Sequence, residues 1–205
     1  VRSKSLILPS IRGHPSTKLR RTLKGHFGKV TAMHWAGNSH ALVSASQDGK
    51  LLLWNAVTTN KLNAISLKSS YVMAVGLEQS NGNLVACGGL DNLCTVYHLN
   101  QPSNEMEMAS HDGFLSCCRF LDERRILTAS GDSTVILWDI PMGTPMDTFA
   151  EHSNDAMSLA VNPADPNVFV SVSVDRTAKI WDIRNPQAAQ QTFSGHEGDI
   201  NGVDF

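Results

Sequence analysis

SGDSTVILWDI, residues Ser130–Ile140, is a polar turn followed by a run of β-branched and apolar residues that ends in Trp-Asp. Asp132 and Ser133 favour a tight turn, and the run after them favours a β-strand. Asp132 also stands six residues before Trp138. A single stretch of this kind says little about a fold, so the fold depends on whether the chain repeats it.

The chain does repeat it. The aligned stretches are SASQDGKLLLWN (Ser44–Asn55), CGGLDNLCTVYH (Cys87–His98), TASGDSTVILWD (Thr128–Asp139) and SVSVDRTAKIWD (Ser171–Asp182). The aspartates are separated by 43, 41 and 43 residues; they are Asp48, Asp91, Asp132 and Asp175. The aromatic residues six positions later are Trp54, Tyr97, Trp138 and Trp181. A histidine precedes each unit except the second, which has Ser69-Ser70 instead; these histidines are His26, His111, His152 and the later His196.

A four-stranded antiparallel meander explains why histidine and aspartate recur together. Successive strands reverse direction, so the loop that enters the first inner strand and the turn between the next two strands lie at the same end of the sheet. His26 belongs to such a loop and Asp48 to such a turn, and we expect the two side chains to meet.

The period, the histidine and the Trp-Asp ending resemble the WD40 repeat family, with four repeats and the opening of a fifth. The resemblance implies an all-β fold, a WD40 β-propeller, as part of a seven-bladed ring. The repeats lie near 26–55, 70–98, 111–139 and 152–182, and the fifth starts at 195. The propeller region is 19–205, and 1–18 is an irregular N-terminal segment without a heptad pattern.

The family pattern also implies a structural tetrad in each regular repeat, in which aspartate holds histidine, histidine contacts a hydroxyl, and the hydroxyl contacts the tryptophan indole. The members are His26, Ser44, Asp48 and Trp54; His111, Thr128, Asp132 and Trp138; and His152, Ser171, Asp175 and Trp181. Cys87 stands at the hydroxyl position of the irregular second repeat.

Length supports a further expectation. Seven repeats of this period need about 300 residues, whereas the sequence has 205 and ends at Phe205 inside the fifth repeat. We therefore expect a fragment, with open strand edges that recruit other chains.

Composition excludes several classes of protein. The chain is 41% hydrophobic and 18% charged, with a net charge of -2, which argues against a broad nucleic-acid surface. Apolar runs are too short to span a bilayer. The cysteines are expected to be buried, reduced thiols in a reducing compartment; they are Cys87, Cys94, Cys117 and Cys118.

Serine, histidine and aspartate together suggest a catalytic triad. We reject an active site because the set recurs once per repeat, whereas an enzyme needs one site. The histidines would lie in different blades, too far apart to share a metal ion, and a Gly-rich phosphate loop is missing. No catalytic residue, cofactor or metal is predicted.

Several longer sequence segments indicate a family more specifically than the repeat pattern does. SASQDGK (Ser44–Lys50), CGGLDN (Cys87–Asn92), SCCRFLD (Ser116–Asp122) and GHEGDIN (Gly195–Asn201) resemble the beta subunits of heterotrimeric G proteins. Tyr71 departs from that family, which usually has tryptophan there. The resemblance implies a non-enzymatic subunit that binds a gamma subunit permanently, binds the GDP-loaded alpha subunit, and transmits receptor signals to effectors. It implies a cytoplasmic protein that reaches the plasma membrane only through lipidated partners.

Residue-by-residue matching places the alpha-subunit interface at the end of the propeller where the histidine loops and the aspartate turns emerge. The matched residues are Lys29, Gln47, Lys50, Leu52, Lys61, Ser70, Tyr71, Met73, Leu90, Asn92, Phe114, Asp155, Met157, Asp199 and Asn201. Alternatives stay open for individual members: the lysines as solvated turn residues, the methionines as core, and the aspartates as caps of their own turns.

Two other functions remain as alternatives. The chain is a different WD40 scaffold or adaptor, such as a ubiquitin-ligase receptor, or it is a hydrolase that uses serine, histidine and aspartate. The strings quoted above weigh against the first, and the absence of a nucleophile-type turn in any one repeat weighs against the second.

Overall fold

The computed structural model describes residues 18–205, and within that range the chain forms sixteen strands in four antiparallel sheets of four strands each. No helix occurs there, and so none that is long and apolar enough to cross a membrane. The predicted irregular segment 1–18 lies, apart from Lys18, outside the described residues.

Each sheet is one blade, formed by strands that are consecutive in sequence. The first blade contains β1 (Val30–Trp35), β2 (Ala41–Ser46), β3 (Lys50–Asn55) and β4 (Lys61–Ser66). The second contains β5 (Val72–Leu77), β6 (Leu84–Gly89), β7 (Cys94–His98) and β8 (Gln101–Met108). The third contains β9 (Leu115–Phe120), β10 (Arg125–Ser130), β11 (Val135–Asp139) and β12 (Thr144–Phe149). The fourth contains β13 (Ala156–Val161), β14 (Val168–Ser173), β15 (Thr177–Asp182) and β16 (Gln191–Ser194).

The turn between the second and third strands of every blade uses the same backbone conformation. The residue after the repeat aspartate has a left-handed φ in all four blades: 74° at Gly49, 62° at Asn92, 73° at Ser133 and 68° at Arg176. The next strand can therefore reverse within two residues. The sequence spacing between aspartate and tryptophan depends on this tight reversal.

Neighbouring blades pack face to face around their inner strands. β1, β5, β9 and β13 contact one another in succession. Apolar clusters fill the three interfaces. The cluster between the first two blades includes Val43 and Val85, and the one between the last two includes Leu137 and Phe169. This arrangement confirms the predicted all-β WD40 propeller fold with four complete repeats. The seven-bladed ring stays a prediction.

The outer strand of each blade follows the aromatic residue of its repeat. β4, for example, comes after Trp54 and pairs with β3. The three inner strands of each blade therefore lie within or at the edges of the predicted repeat, and the outer strand lies in the stretch that connects it to the next repeat.

The thiols lie inside the packed blades. All four are buried and free of disulfide bonds; they are Cys87, Cys94, Cys117 and Cys118. Two bridge adjacent blades, since Cys117 Sγ lies 3.6 Å from the Leu159 carbonyl oxygen and Cys118 Sγ lies 3.7 Å from that of Ala86. The apolar sequence around the cysteines predicted that they would be buried, and they are.

Candidate functional site: histidine tetrads and the turn face

In the first blade, four side chains form a chain of hydrogen bonds. His26 Nδ1 lies 2.9 Å from Asp48 Oδ2, and His26 Nε2 lies 2.7 Å from Ser44 Oγ. The Trp54 indole N–H donates to the same Ser44 oxygen at 2.8 Å. An indole can only donate, so the hydroxyl accepts from it and donates its own hydrogen to Nε2. The imidazole then presents Nδ1–H to the carboxylate.

The third blade repeats this geometry. His111 Nδ1 lies 2.7 Å from Asp132 Oδ2, and Nε2 lies 2.8 Å from Thr128 Oγ1, which accepts from Trp138 at 2.7 Å. Burial raises the pKa of Asp132, but hydrogen bonds from His111 and Thr134 outweigh it and hold the pKa below its ordinary value. The carboxylate therefore stays charged.

The fourth blade has the same set. His152 Nδ1 lies 2.8 Å from Asp175 Oδ2, Nε2 lies 2.8 Å from Ser171 Oγ, and Trp181 donates to that oxygen at 2.8 Å. Burial lowers the pKa of His152 and outweighs the opposing effect of Asp175, which favours the neutral imidazole. Burial raises the pKa of Asp175, yet hydrogen bonds from Thr177 and His152 bring it below the ordinary value.

The chemistry of these sets is structural. Thr128 and Ser171 are fully buried, and Ser44 is nearly so. Each hydroxyl oxygen is already held by an indole N–H as well as an imidazole. A nucleophile must reach a substrate atom, and the fully buried Thr128 and Ser171 oxygens have no path to one. Among residues 18–205, no cluster of three or more potential metal ligands occurs.

The tetrads position the loops and turns at one end of the blades, which we call the turn face. Asp48 Oδ2 also accepts from the Phe27 backbone N–H at 2.8 Å, which ties the histidine loop to the aspartate turn. The equivalent bonds from Asp112 to Asp132 and from Ser153 to Asp175 are 3.1 Å each.

A backbone hydrogen bond joins loop and turn in all four blades, including the second blade, and it brings predicted interface residues together. The Gln47 N–H donates to the Lys29 carbonyl at 2.9 Å, and the Leu90 N–H donates to the Tyr71 carbonyl at 3.1 Å. Tyr71 and Leu90 are therefore neighbours on the turn face. Their side chains are 62% and 56% exposed, respectively.

The corresponding junctions in the third and fourth blades carry Phe114 and Asp155. Their carbonyls accept from Gly131 at 2.9 Å and from Val174 at 3.0 Å. The Phe114 ring lies against Gly131, where an added Cβ would approach Cε1 to 2.4 Å, so the ring is only partly exposed. Asp155 is also partly exposed.

The remaining turn-face residues lie in the loops or at strand starts. Lys50 opens β3, Met73 lies near the start of β5, and Met157 lies near the start of β13; the first two are exposed and the third is half-buried. Others at this end are Ser70, Asn92, Asp199 and Asn201. Of these four, Asn92 alone is half-buried.

Two predicted interface residues are placed elsewhere by the structure. Leu52 is 2% exposed because it points into an apolar cluster with Leu42 and Trp54, so it cannot contact a partner there. Lys61 opens β4, which runs antiparallel to β3, so it lies beside Trp54 at the opposite end from the turn. Its ammonium sits 5.8 Å from the Trp54 ring centroid.

Sequence reasoning missed Phe27. Its side chain is almost fully exposed at the turn face, directly after His26. The signal was available, because the residue after a tetrad histidine lies at the loop apex, where the other blades have Asp112 and Ser153.

Comparison with known proteins identifies the family. The chain matches the family described as "G protein beta WD-40 repeat protein" over residues 10–205. It is 51% identical over 168 residues to "Guanine nucleotide-binding protein subunit beta" of Dictyostelium discoideum, an alignment that covers 80% of this chain. The chain covers 47% of that relative, and so spans about half its length. The four WD40 blades, the tetrads and the extent of these matches together show that the chain belongs to the G protein beta WD40 repeat family.

Proposed function

We propose that this chain acts as a G-protein beta subunit that binds the GDP-loaded alpha subunit through its turn face. The observation that carries the proposal is the exposed apolar pair Tyr71 and Leu90. Apolar side chains that are exposed beside charged ones are typical of interface centres. Here Lys29 lies in the histidine loop of the first blade, Lys50 follows its aspartate turn, and Asp155 lies in the histidine loop of the fourth blade.

The wider role belongs to the same proposal. As a beta subunit, the chain would hold a gamma subunit, transmit receptor signals to effectors, and stay in the cytoplasm, with membrane contact only through lipidated partners. The printed name of the Dictyostelium relative and the family match support this role. Binding of nucleic acid is not part of it, in line with the net charge of -2.

A non-enzymatic role is also proposed. The serine and threonine hydroxyls of the tetrads are buried and already hydrogen-bonded to indole and imidazole nitrogens. The arrangement therefore supports scaffolding over hydrolysis.

Binding of purified GDP-loaded alpha subunit to the full-length protein tests the proposal. Tyr71→Ala and Leu90→Ala should each weaken binding by about thirtyfold or more, the loss expected for an interface anchor. Met142→Ala is the matched control, because Met142 is an exposed apolar residue that follows β11 at the opposite end. It should bind like the parent.

The control for folding is a melting curve of each variant. If the Tyr71 and Leu90 variants fold and bind the alpha subunit as the parent does, the turn face is not the interface. If the parent itself shows no preference for the GDP-loaded form, the chain is better explained as another WD40 scaffold.

A further inference from the structure

The second blade lacks the tetrad imidazole and has a cleft in its place. Ser69 stands 22 residues before Asp91, the same separation that joins His26 to Asp48. Cys87 replaces the hydroxyl residue, and Tyr97 replaces the tryptophan. The cleft measures about 40 Å³, and all four of these positions line it.

The other three blades show what such a space accepts. In each of them an imidazole spans the gap between carboxylate and hydroxyl, with nitrogen–oxygen distances of 2.7 to 2.9 Å on the carboxylate side. On the hydroxyl side the distances are 2.7 to 2.8 Å. In these three blades, a flat five-membered ring with one N–H donor and one acceptor nitrogen therefore spans the gap between the turn carboxylate and the strand hydroxyl.

Both ends of the cleft in the second blade keep polar groups. Within the described part of the chain, Asp91 Oδ1 accepts from the backbone N–H groups of Gly89 and Leu93, both at 3.3 Å, and from no side chain. Those bonds are long compared with the imidazole bonds of the other aspartates. At the inner end, burial raises the pKa of the Cys87 thiol to about 12, so the thiol keeps its proton.

The cleft has room for more than one water molecule. One water molecule needs roughly 10–15 Å³ of such space, and this cleft measures about 40 Å³. The cleft is lined by both apolar and charged side chains. Leu67, Val72 and Leu93 are apolar, and Lys68 is charged. A planar heterocycle would find apolar contact for its faces and hydrogen bonds for its edge.

We propose that this cleft is a binding site for a small imidazole-class heterocycle, whose N–H donates to the Asp91 carboxylate and whose second nitrogen faces Cys87. The bound ligand would take the place of the histidine ring that the second blade lacks. This inference does not depend on the proposed G-protein role, because it rests on residues that lie within one blade.

Titration of the full-length protein with imidazole, followed by NMR of the backbone amides, tests the site. We expect saturable shifts at Ser69, Gly89 and Leu93 with a dissociation constant on the order of 1 mM, as suits a five-atom ligand. Pyrrole has the N–H but no acceptor nitrogen and should bind at least about tenfold more weakly, since one hydrogen bond is lost.

Three variants sharpen the result. Ser69→His supplies the ring from the chain itself and should abolish imidazole binding. Ser70→His is the matched control, because Ser70 does not line the cleft, and it should leave binding unchanged. Asp91→Asn replaces the carboxylate by an amide and should weaken binding about tenfold, because the charge-assisted hydrogen bond is lost.

The inference is overturned if no saturable shift appears at concentrations up to about 50 mM, well above the expected dissociation constant. That outcome would mean that the cleft holds water only. It is equally overturned if the Ser69→His variant, shown to be folded, binds imidazole as tightly as the parent. Loss of binding in Ser69→His and retention in Ser70→His would establish the site.

Discussion

The tetrad aspartates show how one residue can hold a loop and a turn together. Asp132 accepts from the His111 ring, from the Thr134 hydroxyl and from the Asp112 backbone N–H. The hydrogen bonds keep the pKa of Asp132 low despite its burial, which means that the folded state favours the charged form. Much of the order at this end of the blade thus depends on a single carboxylate.

Replacement of Asp132 by alanine should therefore destabilise the protein. The buried His111 N–H loses its acceptor, and an unsatisfied buried donor costs about 1–3 kcal/mol. Urea denaturation of the full-length protein would measure this. Asp112→Ala is the control, since Asp112 is exposed and only its backbone N–H contacts Asp132. Equal stability of the two variants would contradict the structural role of the tetrad.

His34 links two blades through its ring. Its Nδ1 accepts from the Leu77 backbone N–H at 2.9 Å, which joins β1 to β5. Burial lowers the pKa of His34 to about 4, the positive charge of Arg119 lowers it too, and Asp204 opposes both. The bond requires an unprotonated Nδ1, so protonation of this ring breaks a contact between blades.

We expect a pH dependence of stability from this histidine. The folded pKa lies below the unfolded value of 6.5, so the unfolded chain binds the proton first and stability falls as pH drops from about 6.5 through about 4. At 1.36 kcal/mol per pKa unit, the loss reaches roughly 3 kcal/mol. Urea midpoints of the parent and of His34→Gln between those pH values would measure it. If the urea midpoints of the parent and of His34→Gln change with pH in parallel, His34 is not the cause of the pH dependence.

At the scale of the element, the tight turn between the second and third strands of each blade fixes how those two strands pair. The left-handed residue after each aspartate is glycine only in the first blade, and Asn92, Ser133 and Arg176 adopt the same conformation in the others. Non-glycine residues pay a conformational cost there of about 1 kcal/mol. The second blade has the same turn without a tetrad histidine, so the imidazole bond is not required for it. What all four turns share is the aspartate carboxylate, which accepts from the backbone N–H two residues later.

Gly49→Ala should destabilise the first blade by about 1 kcal/mol, because alanine disfavours the left-handed φ of 74°. An added Cβ would meet nothing within 4 Å, so crowding does not contribute. Gly198→Ala is the matched control, since its Cβ also enters open space and its backbone is not left-handed. Thermal melting of both variants would separate the two cases, and a neutral Gly49→Ala would show that the turn tolerates any residue.

Much of this element-scale structure was predictable from sequence, because a fixed spacing between aspartate and aromatic residue allows few strand pairings. The burial of Leu52 was predictable too, because it stands two residues before Trp54 and strand alternation places both side chains on one face of β3. The location of Lys61 was not, because it depends on where β4 begins and how it pairs with β3. The second repeat also showed Ser69 in place of histidine, but only the packed blade shows that the missing ring leaves a cleft.

At the scale of the whole molecule, and among residues 18–205, the first blade presents one face that the second blade covers and one that no other blade covers. Ala32 and His34 of β1 face the second blade, where Ala32 packs into the shared cluster and His34 bonds Leu77. Side chains alternate along a strand, so Met33 and Trp35 point the other way. They are 64% and 49% exposed. A propeller blade normally meets a neighbour on both faces, so this face is suited to packing against another sheet.

Residues 1–205 produced alone should therefore self-associate through this face, because exposed apolar patches and free sheet faces recruit a second copy. Light scattering coupled to size exclusion would detect the larger species. The double variant Met33→Lys, Trp35→Gln should weaken self-association by at least about tenfold, since it removes the apolar area that drives contact. Met142→Lys changes an exposed methionine outside this face and should associate like the parent. A parent chain that stays monomeric at all concentrations would contradict this prediction.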